Sequence, residues 1–318
     1  MSGLRDRGGR AFGLAALAVI AVAFAALELT AKPTASSGNH VVEYWIAAVP
    51  VNWHVIPNER DGIMGTTFDP AKTTFQTVVY RQYTPNWARQ LRNEPGDEGI
   101  QGPVIHAQVG DTILVHFENL DTVFNRPHSM HFHGVHYSPG SDGAYIPGFS
   151  GPGAAVEPGK SFTYKLTAGP DSFGVWPYHD HSPSMDDSLA GGMYGALSIL
   201  APGERPPDHE FVVFLEQTLD YMTIDGRAFI GNTPVFHAKV GDLVQWDVLA
   251  LGDDFHTFHV HGHRWKTPGG IYQDTQTVGP AESFKFQWRE DAPGTWLYHC
   301  HVEAHMNNGM IGLYRVSR

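Results

Sequence analysis

The chain has 318 residues, of which 42% are hydrophobic, and it contains 35 glycines and 22 prolines. This length suggests about two domains, each large enough to bury a core, and the composition is typical of a turn-rich β protein rather than of a disordered chain. The formal net charge of −12 argues against a nucleic-acid partner and is compatible with neutral or cationic small molecules.

The first 38 residues have the pattern of a signal peptide, or of an N-terminal anchor followed by a linker. Arg5, Arg7 and Arg10 precede an apolar run from Ala11 to Leu27, and small residues after it offer candidate cleavage sites. We therefore expect an extracytoplasmic protein, either secreted or held at the cell surface or in the periplasm. Membrane contact is expected only if the segment stays uncleaved, because the run is at the short limit for spanning a bilayer.

An internal duplication divides the rest of the chain into two homologous units. Within each unit apolar and polar residues alternate with a period of two, as in Phe162, Tyr164 and Leu166, and turns rich in Gly, Pro and Asp separate the runs. This pattern predicts two antiparallel β-sandwich domains, residues 39–203 and 204–318, with a proline-rich linker at 201–208. The duplicated segments are residues 106–111 and 237–242, 128–134 and 256–262, 176–181 and 296–301, and 192–195 and 309–312.

Cys300 is the only cysteine in the sequence, so it cannot form an intrachain disulfide. On a β-strand its side chain points to one face, while the side chains of His299 and His301 point to the other. Together with one further histidine, the group of Cys300, His305 and Met310 would supply the two imidazoles, thiolate and weak axial thioether of a blue-copper site. The two flanking histidines would then be free to bind metal behind it.

Eight histidines occur as four His-x-His pairs. The two members of such a pair lie on the same face of a strand, and neutral imidazole is a good copper ligand, so the four pairs are able to converge on one pocket. Each unit contributes two of the pairs, so both units are needed to bring all eight histidines into one pocket. The pairs are His131 and His133, His179 and His181, His259 and His261, and His299 and His301.

These clusters, in this order and with this spacing, resemble the four signature segments of the multicopper oxidases. With room for two domains, the chain is most similar to the two-domain bacterial small laccases of that family. The resemblance implies an all-β fold of two cupredoxin-like Greek-key β-sandwich domains, with four coppers per chain: one type 1, one type 2 and two type 3. Carried over to this sequence, the type 1 ligands are His256, Cys300, His305 and Met310, the type 2 ligands are His131 and His259, and the type 3 ligands are His133, His179 and His301 for one ion and His181, His261 and His299 for the other.

The activity implied by the resemblance is that of a laccase-like multicopper oxidase. One-electron oxidation of phenols or aromatic amines at the type 1 copper would be coupled to four-electron reduction of O2 to water at the trinuclear centre. Asp142 stands where the family keeps a carboxylate near that centre and is expected to relay protons, and the neighbouring Tyr137 is oxidisable. The alternative interpretations are a turn-forming Asp-Gly and a packed aromatic ring.

Because each unit offers half of the trinuclear ligand set, the centre must form where a face of unit one meets a face of unit two. In two-domain relatives these faces belong to neighbouring chains, so the resemblance implies a homotrimer with inter-subunit trinuclear centres. A metal-ion oxidase acting on Cu(I), Mn(II) or Fe(II) is the main alternative. Copper nitrite reductase is a weaker one, because its single catalytic copper needs three histidines rather than eight.

His128 differs from the other aligned histidines. It aligns with the type 1 ligand His256, but Asp180 stands where the second unit has Cys300. The first unit has therefore lost any type 1 site, and we interpret His128 as a relic or as a hydrogen-bonding residue.

Overall fold

The computed structural model describes residues 40–91 and 99–318, and the predicted export segment, residues 1–38, lies outside these ranges. Within them, β-strands make up the architecture, and the three α-helices have only four to six residues each. The structure thus confirms the predicted all-β fold class. No helix of the described ranges has the length and hydropathy needed to cross a membrane.

The first sandwich packs a five-stranded sheet, in the order β2–β1–β4–β7–β6, against a four-stranded sheet, in the order β3–β9–β8–β5. Its strands are β1 (Val41–His54), β2 (Thr74–Tyr83), β3 (Ile105–Gln108), β4 (Thr112–Asn119), β5 (His131–Phe132), β6 (His136–Tyr137), β7 (Ser161–Thr167), β8 (Gly174–His179) and β9 (Tyr194–Leu200). β1 is antiparallel to β2 but parallel to β4, so the chain crosses between sheets as in a Greek key. The helices are α1 (Pro70–Thr73) and α2 (Met185–Ala190).

The second sandwich repeats this plan with the sheet orders β11–β10–β13–β18 and β12–β20–β19–β14–β17 and an added hairpin, β15–β16. Its strands are β10 (His209–Thr218), β11 (Tyr221–Ile224), β12 (Val235–Lys239), β13 (Leu243–Leu249), β14 (His256–Val260), β15 (Trp265–Lys266), β16 (Tyr272–Gln273), β17 (Thr275–Val278), β18 (Ser283–Arg289), β19 (Gly294–Cys300) and β20 (Ile311–Ser317). Helix α3 (Glu303–Asn307) follows β19.

The period-two pattern places one face of each strand in a core. In β4 the alternating residues Ile113, Val115 and Phe117 are fully buried, while the residues between them are partly exposed. Their face packs against the other sheet of the first sandwich in one contiguous cluster of buried apolar side chains. A second cluster, centred on Trp246, fills the second sandwich.

A third apolar cluster joins the two sandwiches to each other. It combines Trp53 and Val79 of the first sandwich with Phe214 and Leu249 of the second, and the indole N–H of Trp53 donates to the carbonyl of Gly226 at 2.7 Å. Burial of this surface holds the sandwiches in one orientation. The last strand of the first sandwich, β9, ends before the linker predicted at 201–208, and the first strand of the second, β10, begins after it. The exact boundary at 203/204 stays a prediction.

Candidate metal centres

Strand pairing brings the four paired histidines of the first sandwich together. In the antiparallel pairing of β5 with β8, His131 lies opposite His179. The ring centroid of His131 is 5.2 Å from that of His133, 5.4 Å from that of His179 and 5.4 Å from that of His181. We call these four residues the first quartet.

The second sandwich assembles an equivalent set by the same pairing. In the antiparallel pairing of β14 with β19, His259 lies opposite His299. The ring centroid of His259 is 5.3 Å from that of His261, 5.4 Å from that of His299 and 5.5 Å from that of His301. We call these four residues the second quartet.

Main-chain carbonyls fix the tautomers of two rings in the first quartet. His131 Nδ1 lies 2.7 Å from the carbonyl oxygen of Asp142, and His179 Nδ1 lies 2.9 Å from that of Asp180. Since a carbonyl oxygen only accepts, each Nδ1 must carry the hydrogen, which leaves each Nε2 as a bare lone pair. Such orientation of one ring nitrogen by a backbone acceptor is typical of metal-binding histidines.

The second quartet repeats this arrangement and reveals a residue that the sequence analysis missed. His259 Nδ1 lies 2.6 Å from the carbonyl oxygen of Asp274, and His299 Nδ1 lies 2.8 Å from that of Cys300. Asp274 thus stands in the second unit where Asp142 stands in the first. The duplication was the available signal, but the orienting atom is a main-chain carbonyl, which residue type does not encode.

Burial favours the neutral form of several quartet imidazoles. Burial, reinforced by the neighbouring rings, lowers the pKa of His133 to about 4, and burial also lowers the pKa values of His179 and His299 to about 4. The Nε2 atoms of His133 and His179 are 3.2 Å apart, and those of His261 and His299 are 3.1 Å apart. Neutral rings with converging nitrogens are the form in which histidine binds metal.

A buried trio at the end of β19 forms the third candidate centre. His256, Cys300 and His305 are 1%, 0% and 9% exposed. Cys300 Sγ lies 3.9 Å from His256 Nδ1 and 3.7 Å from His305 Nδ1, and the two nitrogens are 3.3 Å apart. We call these three residues the buried trio.

The trio fits a metal ion in size and in donor chemistry. A point equidistant from the three donor atoms lies about 2.1 Å from each, which is close to the length of metal–nitrogen and metal–sulfur bonds in proteins. Two imidazoles and one thiolate in a trigonal set suit copper. Met310 is fully buried in the same core cluster, and its carbonyl accepts the amide N–H of Cys300 at 3.1 Å.

The surroundings of the thiol also suit a thiolate ligand. Burial raises the pKa of Cys300, so the uncomplexed side chain is a neutral thiol. The amide N–H of Thr257 donates to Cys300 Sγ at 3.3 Å, which stabilises negative charge on sulfur. A bound cation would add to this stabilisation and displace the thiol proton.

Both residues predicted to be catalytic lie beside the first quartet. A carboxylate oxygen of Asp142 is 3.5 Å from His131 Nδ1, and the rings of His131 and Tyr137 are 6.1 Å apart. Burial raises the pKa of Tyr137, and the neighbouring carboxylate of Asp142, to which the Tyr137 hydroxyl donates, adds to that shift. The two side chains are therefore placed to exchange a proton close to the quartet.

The two quartets stay apart within one chain. In the part of the chain that the structure describes, ring contacts join histidines within each quartet and none joins a histidine of one quartet to a histidine of the other. His301 is exposed, and His131 and His259 are partly exposed. A single chain thus presents two surface sets of four rings rather than one set of eight.

His128 forms a buried charged network at the position equivalent to the buried trio. Its Nδ1 lies 3.3 Å from a carboxylate oxygen of Asp180, and its Nε2 lies 3.3 Å from one of Asp121. Asp180 also accepts the amide N–H of Ser129 at 2.7 Å and the hydroxyl of Ser182 at 2.8 Å. Of the two interpretations offered by the sequence, a relic or a hydrogen-bonding residue, the structure supports the second.

Comparison with known proteins agrees with this geometry. Two family models, both describing multicopper oxidases, match residues 204–318 and 96–204. A solved crystal structure of a multicopper oxidase superposes with a TM-score of 0.67 at 26% sequence identity, covering 87% of this chain and 89% of that one.

Curated relatives are longer proteins. A probable nitrite reductase–hydroxylamine oxidoreductase fusion protein of Kuenenia stuttgartiensis is 33% identical over 243 residues, which are 68% of this chain and 27% of that protein. A human ferroxidase is 26% identical over 341 residues, covering 86% of this chain and 29% of that protein. The chain therefore spans less than a third of the length of these relatives.

Proposed function

Because the chain belongs to the multicopper oxidase family, we propose that this copper-dependent oxidoreductase is laccase-like: it takes single electrons from phenols or aromatic amines and reduces O2 to water. The observation that carries the proposal is the position of Cys300. Its side chain belongs to the buried trio, while its two sequence neighbours belong to the second quartet. One strand therefore joins an electron-accepting site to an oxygen-reducing one.

The buried trio would hold the type 1 copper, and the thioether of Met310, which is buried in the same core cluster, would be a fourth and weaker ligand. The type 2 copper is assigned to His131 and His259, whose rings are held in the same way by the carbonyls of Asp142 and Asp274. This shared orientation supports their pairing as ligands of one ion.

The type 3 coppers are assigned to the remaining six rings. The Nε2 atoms of His133 and His179 face each other, and so do those of His261 and His299. Each of these two pairs would bind one ion. His301 would complete the first set and His181 the second. Copper bound at these sites would supply reversible one-electron redox steps, four of which are needed to reduce one O2 to two waters.

The protein's own groups handle the protons. The carboxylate of Asp142 accepts a hydrogen bond from the Tyr137 hydroxyl and lies next to His131 of the first quartet. From this position Asp142 is able to take up a proton from solvent and pass it toward the quartet, because its side chain is 35% exposed. Tyr137 would then hold the relay proton at its hydroxyl and orient the carboxylate.

We propose further that three chains form a ring in which the first quartet of one subunit meets the second quartet of the next. The apolar cluster between the sandwiches holds the two quartets of one chain apart, so the ligand set has to be completed by another copy. A contact between two different faces repeats around a closed ring.

Exposed apolar side chains beside both quartets support this contact. Ile146 and Phe149 follow Asp142 in the sequence and are 51% and 87% exposed. Ile271 and Tyr272 precede Asp274, whose carbonyl orients His259, and are 72% and 64% exposed. Apolar groups exposed in this way favour burial against another protein surface.

A metal-ion oxidase acting on Cu(I), Mn(II) or Fe(II) is the second candidate, favoured by the ferroxidase among the relatives. Nitrite reduction is less favoured, although the name of another relative includes it. A single catalytic copper bound by three histidines would leave most of the eight quartet rings without a role.

The experiment that separates these functions is copper quantitation with absorption and EPR spectra, followed by steady-state rates. Four coppers per chain, a blue thiolate band, and O2 uptake with phenols faster than with Cu(I), Mn(II) or Fe(II) would support the proposal. Faster turnover of a metal ion would move the assignment to a metal-ion oxidase. Two coppers per chain with nitrite turnover would refute the oxidase.

We also propose that the protein works outside the cytoplasm, because the arginines and apolar run at its N-terminus have the pattern of an export signal. Fractionation of expressing cells tests this proposal. Protein with an intact N-terminus found only in the cytoplasm would contradict it.

A further inference from the structure

A cavity of about 700 Å3 lies between the two sandwiches and reaches the buried trio. Its walls come from the start of β2 and helix α2 in the first sandwich and from residues 216, 217, 219 and 251–254 in the second. His256 lines this cavity although it is only 1% exposed to solvent. A volume of this size accommodates a small organic molecule in contact with the wall of the trio.

Carboxylates dominate the charge of the cavity. Asp186 and Asp187 line it from the first sandwich, Asp253 and Asp254 line it from the second, and all four are exposed. Arg126 is the only arginine or lysine among the described lining residues, and its guanidinium donates to Asp187 at 2.7 Å. The remaining negative charge is not compensated and attracts cations.

Asp254 links the charge of the cavity to the buried trio. It precedes His256 by two residues, and both residues line the cavity. A cation bound beside Asp254 would therefore lie close to the trio.

The lining also offers apolar and aromatic surface. Phe75 and Phe124 line the first-sandwich side, and Leu219 and Leu251 line the second-sandwich side. Phe124 and Leu219 are each 40% exposed, so they are accessible to a bound molecule. Aromatic faces attract organic cations, and leucine side chains pack against flat apolar groups.

We propose that this cavity binds the reducing substrate and selects aromatic donors that carry a positive charge, such as cationic aryl amines, over anionic aromatic donors. The inference rests on the proposed function, because it requires the trio to accept electrons from a bound donor. Each donor gives up one electron and leaves as its radical, and four electrons with four protons from solvent convert one O2 into two waters. A bare metal cation would use the carboxylates but not the apolar surface.

The test compares p-phenylenediamines that differ only in one substituent: a quaternary ammonium, a neutral hydroxyethyl or an anionic sulfonate group. O2 uptake by the copper-loaded protein gives kcat/KM for each. We expect the cationic donor to exceed the anionic one by about tenfold at low ionic strength and the difference to shrink as salt screens the charges.

One double variant and one control locate the effect. The double substitution Asp253→Asn and Asp254→Asn should lower the cation-to-anion ratio of kcat/KM about fivefold, and kcat/KM of the neutral donor reports any general loss of activity. The control Asp291→Asn removes an exposed carboxylate that precedes β19, at the end of that strand remote from Cys300. It should leave the ratio unchanged.

A binding measurement adds a readout that does not depend on turnover. Calorimetry with benzyltrimethylammonium, which is not oxidised, should show binding to the wild-type protein and the Asp291→Asn control and about fivefold weaker binding to the double variant. An unchanged ratio and unchanged binding in the double variant, or a preference for the anionic donor, would overturn the inference.

Two further outcomes distinguish this inference from the proposed function. If Fe(II) is oxidised faster than every aryl amine and the double variant slows only Fe(II), the cavity serves metal ions and the inference is wrong. If no donor supports O2 uptake by the fully copper-loaded protein, the proposed function itself is refuted, and the inference is refuted with it.

Discussion

Replacing Asp180 by asparagine tests the buried network that stands in the first sandwich where the second has the buried trio. Asp180 is fully buried and accepts hydrogen bonds from the Ser129 amide at 2.7 Å, the Ser182 hydroxyl at 2.8 Å and His128 Nδ1 at 3.3 Å. Asparagine has the same shape, but its amide nitrogen would face one of these donors. It also removes the charge opposite His128.

The size of the effect follows from these contacts. Hydrogen bonds to a charged group contribute about 1.5 to 3 kcal/mol each, and leaving a buried donor without its acceptor costs about 1 to 3 kcal/mol. We therefore expect Asp180→Asn to lower the free energy of unfolding by about 4 kcal/mol. The matched control is Asp187→Asn, whose carboxylate is 73% exposed in its pair with Arg126 and should cost less than about 1 kcal/mol.

The assay is urea unfolding of the copper-free protein followed by tryptophan fluorescence, with both variants measured beside the wild type. Because the rings of His131 and His179 are oriented by main-chain carbonyls, copper titration of Asp180→Asn should show unchanged binding at the first quartet, and the blue absorption of the buried trio should persist. A loss of stability no larger than that of Asp187→Asn would refute the reasoning, since it would mean that the network is not a structural element.

Three further predictions concern pH, backbone geometry and metal. Burial raises the pKa of Glu216 to about 7, so its neutral form stabilises the fold fully below pH 4.5 and this contribution is lost as pH rises through 7. Between pH 4.5 and pH 7, the free energy of unfolding of the wild type, measured with urea, should fall by about 3 kcal/mol relative to that of Glu216→Gln. The same pH dependence in both proteins would contradict the prediction. A Cβ on Gly134, which has a φ of +70°, would lie 2.0 Å from a ring carbon of Trp176, so Gly134→Ala should cost more than about 2 kcal/mol. Gly159→Ala is the control, because φ there is +72° with open space around it, and an equal loss would show that only backbone strain matters. Removal of copper by chelation should shift the oligomer toward monomers on dilution in sedimentation experiments, because the ions would bridge subunits; unchanged dissociation would count against shared centres.

Strand periodicity explains why so much of the site was predictable. Alternate residues of a strand share a face, and this relation still holds one residue past the ends of β14 and β5: the rings of His259 and His261 are 5.3 Å apart, and those of His131 and His133 are 5.2 Å apart. The alternation in β4 identified buried residues for the same reason, and the structure confirms it. These features depend on local geometry, which the sequence determines directly.

Features that depend on the main chain or on docking of the sandwiches were not predictable. The role of Asp274 comes from its carbonyl oxygen, which every residue possesses, so residue type gave no signal. Asp121 joins the network of His128 through a loop whose path has no periodicity. The cavity beside His256 exists only because the two sandwiches pack at a particular angle, which neither half determines alone.

The position shared by Asp180 and Cys300 explains how the two halves came to differ without disturbing the quartets. Both residues are fully buried, and the carbonyl of each accepts the Nδ1–H of the histidine before it. Orientation of His179 and His299 therefore depends on the backbone and places no demand on the side chain at this position. The side chain is free to form a metal site in one sandwich and a charged network in the other. Substitution of the side chain alone should accordingly change metal binding at the trio while leaving the second quartet in place.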